Sequence, residues 1–178
     1  RWEKMCLNKK VVVKPWKLLS DNDDTLPILI CHQSNKGFLM GEKNPLNWLM
    51  ETILNIRRYS SRKIVIRLPQ NANGKIKSHD IPEFTADQNI EISSNTSLID
   101  DIQNKWCMVV HSTSAAISAV LEGLPLFCTS PKCLAWSISN HSLSNIENPK
   151  TPDRTNFFSL LGNAHWDYEE LTTGLFWE

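Results

Sequence analysis

Residues 106–116 have the sequence WCMVVHSTSAA, which begins with the most continuous apolar run of the chain. Such a run is typical of a strand buried on both faces, as in a parallel sheet covered by helices. Three hydroxyl residues follow, Ser112, Thr113 and Ser114, and small residues then begin a helix. Gly123 occupies the left-handed position at which helices commonly end. The segment therefore predicts a strand, a polar turn and a helix.

The same alternation of short apolar runs and helix-like segments extends in both directions. A helix is predicted after Asn44-Pro45, where Asn caps and Pro takes the first helical position, and another after Ser97. This alternation is the pattern of a parallel sheet with helices on both faces. We predict an α/β, Rossmann-like fold of about five strands in the spatial order 3-2-1-4-5. The predicted strands are Ile28–Cys31, Lys63–Leu68, Ile90–Ile92, Trp106–Val110 and Leu124–Thr129.

The two ends of the chain depart from this alternation. Residues 1–26 contain one strand candidate, Val11-Val12-Val13, and are predicted to be an N-terminal extension or the remnant of a preceding lobe. Residues 27–178 are predicted to form the Rossmann-like domain, with a helical tail at 130–178. Residues 70–88 are polar and are expected to form a loop.

Two helices are expected in the tail. The first is predicted to begin at Thr151-Pro152-Asp153, where a cap precedes a first-turn proline, and to end near Leu161. The second is predicted from Trp166 to Leu175.

Composition restricts the class of protein. The 178 residues carry 19 basic and 19 acidic side chains, so a partner bound through bulk positive charge, such as a nucleic acid, is unlikely. No apolar run approaches the roughly 20 residues that span a bilayer. The five cysteines form no CxxC pair, which indicates a reducing, cytoplasmic location without a structural metal.

The predicted strand order also predicts where a ligand binds. Strands one and four are neighbours, so the crevice lies at their carboxyl ends, between the loops Cys31–Gly37 and His111–Ala115. Ser112, Thr113 and Ser114 lie at a helix start, where hydroxyls and backbone N–H groups can bind phosphate. The alternative is that Ser112 or Thr113 merely caps the helix.

Other polar residues around this crevice have two interpretations each. Ser34 and Lys36 could contact a ligand or lie in a solvated loop. Arg67 could clamp a phosphate or pair with a carboxylate, and Lys132 has the same two possibilities. His111 could act as a base, could hydrogen-bond a phosphate or sugar, or could be structural. No GxGxxG or GxxxxGK[ST] motif is present. The candidate phosphate-binding residues are Ser112, Thr113, Ser114, His111, Arg67, Ser34, Lys36 and Lys132.

The segment Trp106–Pro125 resembles the donor lobe of GT-B glycosyltransferases, especially capsule-polysaccharide and Kdo-type transferases. The similarity lies in the Ser-Thr pair at the strand end, the helix after it, and the Gly123-Leu124-Pro125 step into the next strand. The segment Ser97–Ile102 is similar to the Ser-Leu-x-x-Asp-Leu helix of that family. Arg67-Leu68-Pro69 resembles its Arg-x-x-Pro strand end.

The tail resembles a narrower group of phage-encoded proteins of this type. The matching segments are Asn140–Pro149, Pro152-Asp153-Arg154 and Trp166–Trp177, so the whole resemblance covers about residues 28–178. It implies a phage-encoded protein acting in the host cytoplasm.

The resemblance implies a glycosyltransferase that moves a sugar from a nucleotide-activated donor to a glycan or other acceptor, without a metal or a further cofactor. Two positions depart from the family: Ser118 stands where a ribose-binding Glu is usual, and His111 where Asn or a small residue is usual. Residues 1–26 have no counterpart of the acceptor lobe, so an isolated donor lobe is expected. The alternatives are a non-catalytic binding or structural module and a phage DNA base glycosyltransferase. Homo-oligomer formation stays open.

Overall fold

The computed structural model describes residues 2–17, 25–33, 44–69, 89–164 and 172. Within these ranges lie five α-helices, five β-strands and two short 3-10 turns. The strands are β1 (Ile28–Cys31), β2 (Ile64–Arg67), β3 (Ile90–Ile92), β4 (Met108–Val110) and β5 (Leu126–Cys128). The helices are α1 (Trp2–Lys9), α2 (Pro45–Arg57), α3 (Leu98–Ile102), α4 (Ala115–Leu121) and α5 (Thr155–Ala164), and the 3-10 turns are Trp136–Ile138 and Leu143–Asn145.

All five strands pair in parallel, in the order β3-β2-β1-β4-β5. This confirms the predicted α/β, Rossmann-like fold and its strand order. The central strand is β1, in which Leu29 lies opposite Val65 of β2 and Met108 of β4. The order reverses direction between β1 and β4, which is the topological switch point of such a sheet.

The sheet is buried on both faces. Ile28 and Ile30 of β1 join a hydrophobic cluster with Leu49 and Ile53 of α2. Side chains alternate between the two faces along a strand, so Leu29 points to the opposite face, and it is also fully buried. Helix α4 contacts β4 and β5. The continuous apolar runs of the sequence follow from this double burial.

The predicted helix starts at α2 and α3 are confirmed by their caps. The Asn44 side chain accepts a hydrogen bond from the Leu46 N–H at 2.9 Å, and the Ser97 hydroxyl accepts one from the Ile99 N–H at 3.1 Å. Each cap satisfies an N–H group that has no partner within the helix.

The chain divides into two compact units, residues 13–151 and residues 1–12 with 152–178. The first contains the sheet. The second contains α1 and α5, where the rings of Trp2 and Phe158 stack with centroids 4.7 Å apart. The predicted partition into residues 1–26 and 27–178, with its functional meaning, stays a prediction.

Two sequence predictions at the ends of the chain were wrong. Val11-Val12-Val13 forms no strand in the described part of the chain; the Val11 N–H donates instead to the Cys6 carbonyl of an unpredicted helix, α1, at 3.0 Å. The strand preference of β-branched residues depends on such context. The helix predicted at Thr151 begins at Thr155 and continues to Ala164, because Asp153 is the residue whose carboxylate accepts the Thr155 N–H, at 3.3 Å.

Several other sequence expectations concern residues only partly described. The loop predicted at 70–88 and most of the helix predicted at 166–175 lie outside the described residues. The five cysteines are free thiols, and four of them are buried. Across the described ranges, none of the helices has the length and apolar content to cross a membrane.

Gly123 is required where α4 returns toward the sheet, and its replacement by alanine tests this. Its φ is +74°, and a Cβ there would lie 1.9 Å from the Pro15 carbonyl oxygen. We expect Gly123→Ala to lower the free energy of unfolding by about 2 kcal/mol or more, since left-handed strain and overlap add. Urea denaturation measures the loss. Hydrogen exchange at the Lys17 amide, which donates to the Gly123 carbonyl at 2.8 Å, should accelerate.

The matched control is Glu122→Gln at the preceding position. It removes only the ion pair between Glu122 and Lys14, whose side chain is 51% exposed. Pairs of this kind contribute about 1 kcal/mol at most. Equal losses in the two variants would contradict the assigned role of Gly123.

Candidate functional site

An open cleft of about 490 Å³ lies at the carboxyl edge of the sheet. It is formed where the segments that follow β1, β2 and β4 meet, because parallel strands all end at the same edge. This is the crevice that the strand order predicts. Its described lining consists of Cys31, His32, Gln33, Arg67, Leu68, Pro69, Leu98, Thr113, Ser114, Ala115 and Ser118.

The β1 side of the cleft contains a buried histidine that was not among the predicted site residues. His32 is 5% exposed, and neither ring nitrogen has a hydrogen-bond partner among the described residues. Burial lowers the pKa of His32 from its ordinary value. The Pro45 carbonyl, which makes no hydrogen bond of ordinary geometry to the ring, opposes this shift in part. The side chain is therefore neutral at pH 7.

Gln33 and Ser112 connect the two loops of the crevice. The Ser112 hydroxyl donates to the Gln33 side-chain oxygen at 3.0 Å, and the Ser112 N–H approaches the same atom at 3.3 Å. Ser112 is 4% exposed. This hydrogen bond joins the end of β4 to the end of β1. A phosphate-binding role was predicted for Ser112, whose hydroxyl instead donates to Gln33.

The hydroxyls of Thr113 and Ser114 line the cleft directly. The Thr113 oxygen accepts a long hydrogen bond from the Ala115 N–H at 3.4 Å. Ser114 precedes α4, is exposed, and makes no side-chain capping bond. Of the two residues for which capping was the predicted alternative, Ser112 and Thr113, it is Thr113 that makes a bond of this kind, to the first residue of α4.

One of the two departures from the GT-B pattern, Ser118, belongs to the cleft lining. Ser118, which stands in place of the usual glutamate, lines the cleft one turn along α4 from Ser114. Glu122, the acidic residue one turn further, forms an ion pair with Lys14. The lining thus presents hydroxyls along this face of α4.

Arg67 lines the cleft, but its guanidinium is already engaged. It forms an ion pair with Asp101 and donates to three backbone carbonyls of residues 95–97, at 3.0 to 3.2 Å. The Arg67 side chain is 11% exposed. Of the two sequence interpretations, pairing with a carboxylate is the one observed.

Asp101 is the buried centre of this arrangement. Its side chain is 1% exposed and also accepts hydrogen bonds from the Ser93 hydroxyl and, at 2.9 Å, from the Asn95 amide. Asp101 was not among the predicted site residues. Two features of the sequence could have identified it, an arginine at the end of β2 and an acidic first turn in the next helix, because opposite charges at one sheet edge are expected to pair.

Two further candidates, His111 and Lys132, are not part of the described lining. His111 is buried, and its Nδ1 lies 3.0 Å from the Thr129 hydroxyl, which also accepts the Trp48 indole N–H at 2.8 Å. Lys132 is exposed in the loop after β5. Ser34 and Lys36 lie outside the described residues. Of the eight predicted residues, the cleft therefore brings together Arg67, Thr113 and Ser114.

The chemistry available in the cleft is hydrogen bonding by neutral groups. Hydroxyls, an imidazole and an amide line it, and the charge of Arg67 is balanced by Asp101. In the part of the chain that the structure describes, no cluster of three His, Cys, Asp or Glu side chains could hold a metal ion.

Replacing Asp101 tests the buried ion pair. Asp101→Asn leaves the guanidinium of Arg67 without a balancing charge, so we expect the free energy of unfolding to fall by about 3 kcal/mol. The matched control is Asp100→Asn, because Asp100 is adjacent but exposed, and it should change stability by less than about 0.5 kcal/mol. Thermal and urea unfolding measure both. If Asp101→Asn is as stable as the wild type, the ion pair is not required to hold the wall of the cleft.

Comparisons with known proteins show a distant likeness to solved structures. No protein-family model matches the sequence, and neither does any curated protein. Among solved structures, the chain is similar to the KpsC beta Kdo 2,4 transferase of Thermosulfurimonas dismutans, with a TM-score of 0.47 and 10% sequence identity. The alignment covers 83% of this chain and 52% of that one, so the chain spans about half the length of that structure.

Proposed function

We propose that the protein binds a nucleotide-activated sugar in this cleft and acts as the donor-binding part of a glycosyltransferase. One observation carries the proposal: the segments after β1, β2 and β4 meet in a single cleft at the topological switch point. In open parallel sheets, ligands bind at that point. The volume, about 490 Å³, falls within the range of roughly 300–1,000 Å³ of small-molecule sites.

The lining suits a polar, oxygen-rich ligand. Thr113, Ser114 and Ser118 offer three hydroxyls on one wall, and hydroxyls donate to phosphate oxygens and accept from sugar hydroxyls. Leu68, Pro69 and Leu98 offer an apolar wall opposite a base or sugar face. This division between a few polar groups and an apolar wall is the usual composition of a ligand site.

The fixed positions of the lining residues are what a transfer reaction requires. The Gln33–Ser112 bridge and the Arg67–Asp101 pair hold the three strand ends in place before a ligand arrives. Donors fixed in this way stabilise the charge that develops on a departing nucleotide phosphate without reorganising. The proposal involves no covalent intermediate, no metal and no catalytic base from this chain. It leaves acceptor binding, to a glycan or another molecule, to a second lobe.

A second candidate function is a non-catalytic nucleotide- or sugar-binding module of the same fold. Ser118 favours it, because a serine offers a shorter and uncharged contact than the glutamate that this family usually places there. The pairing of Glu122 with Lys14 favours it too, since that carboxylate is then not available to replace the missing one. The two candidates differ in whether the sugar is transferred, and they share the cleft.

Titration calorimetry with a panel of nucleotide sugars tests the proposal. We expect binding of one of them, and we expect Thr113→Val and Ser114→Ala each to weaken it about tenfold, since a hydrogen bond to a charged group is lost. The control is Ser144→Ala, because the Ser144 hydroxyl bonds Ser142 in a 3-10 turn outside the described lining. Absence of binding at millimolar concentration would remove the proposal. Binding without transfer to any acceptor, by the chain together with its partner lobe, would favour the module.

A further inference from the structure

The unpartnered side chain of His32 is the feature that the proposed function does not yet use. A neutral imidazole has one N–H donor and one acceptor nitrogen, and buried polar groups of this kind are nearly always hydrogen-bonded. Here both nitrogens are buried, with no partner among the described residues. His32 is also part of the cleft lining.

The neighbouring contacts orient the His32 ring without satisfying it. Trp48 of α2 lies on one side, with its ring centroid 6.5 Å from that of His32, and the Trp48 indole N–H is committed to Thr129. The backbone N–H of His32 donates to the Arg67 carbonyl at 2.9 Å, which fixes the start of the loop. The ring is therefore held in position beside the cleft while its own polar atoms remain unpaired.

We propose that the His32 ring donates a hydrogen bond to a phosphate oxygen of the ligand bound in this cleft. The inference rests on the proposed function. It adds one contact to the ligand, made by His32, and the chemical class of the group contacted, a phosphate anion. His32 is a buried lining residue whose ring has an N–H to give and no partner within the described part of the chain to receive it.

This contact couples ligand binding to a proton. Burial lowers the pKa of His32, so the ring is neutral before the ligand binds. A bound phosphate favours the charged imidazolium and raises that pKa, so binding takes up a proton and tightens as the pH falls through the raised value.

Several other charged or titratable groups lie around the ring. They are Cys31, the Arg67–Asp101 pair and His111 beyond Trp48. Burial raises the pKa of the Cys31 thiol to about 12, so it stays protonated. The charges of Arg67 and Asp101 balance each other. His111 has its own hydroxyl partner in Thr129.

Side-chain NMR of the 15N-labelled protein tests the proposal directly. The His32 ring signals, assigned by their loss in His32→Gln, are followed against pH alone, with pyrophosphate, and with UDP or CMP. We expect the pKa of His32 to lie below its ordinary value without ligand and above it with each phosphate probe. Since the wild-type protein is observed, the result does not depend on a variant that folds.

Variants supply the second measurement. His32→Gln keeps a donor but cannot take up a proton, so its affinity for pyrophosphate at pH 6.5 should fall about tenfold. The tightening between pH 8 and pH 6.5 should also shrink to the part that the ligand's own titration produces. The matched control is His141→Gln, because His141 is exposed and stacked on Trp136 outside the described lining, and it should bind as the wild type does.

The outcomes separate this inference from the proposed function. If UDP or CMP binds while the His32 pKa is unchanged, the histidine contact is overturned and the nucleotide site stands. If pyrophosphate raises the His32 pKa while no nucleotide binds, the phosphate contact stands and the nucleotide-sugar function fails. If neither probe binds or moves His32, both are overturned.

Discussion

The parallel ladder that joins β1 to β2 and β4 is the constraint on which the candidate site depends. Cys31 lies opposite Arg67 on one side and Val110 on the other. The next residue of each strand therefore emerges at the same level, at the carboxyl edge of the sheet. A slip of one residue in either pairing would turn every side chain to the other face. The register therefore places His32, Leu68 and His111 side by side at this edge. Burial of the apolar strands on both faces of the sheet stabilises this register.

The sheet could be predicted from the sequence because its signals are local. An apolar segment with a cap or a glycine at its end, such as α4 before Gly123, carries its own boundary signals. The N-terminal segment carries no such signals. Val11-Val12-Val13 has strand propensity but forms no strand, and the helix before it, α1, packs on α5, where a Cβ at Gly162 would lie 2.8 Å from the Cα of Trp2. Which partner a segment finds is tertiary information, which propensity does not contain.

The site could be predicted only to the level of its loops. The strand order implies a crevice beside Thr113 and Ser114, and they line it. What each polar group bonds to within that crevice depends on side-chain geometry. The charge of Arg67 is balanced by Asp101, and the Ser112 hydroxyl donates to Gln33. The sequence predicts which polar groups lie at the sheet edge. Burial in the fold determines which of these groups are left without a hydrogen-bond partner.

The two histidines that flank Trp48 illustrate this decision. His32 and His111 occupy equivalent places, each one residue past a ladder pair at the ends of β1 and β4. Thr129, carried to the same level by β5, gives His111 a hydroxyl at 3.0 Å. On the other side of β1, the residue that β2 carries to that level is Leu68, which has no polar side chain to offer. His111 therefore has a hydrogen-bond partner within the fold, whereas His32 lines the cleft without one among the described residues. This difference between β5 and β2 is why we expect the ligand contact on the β1 side.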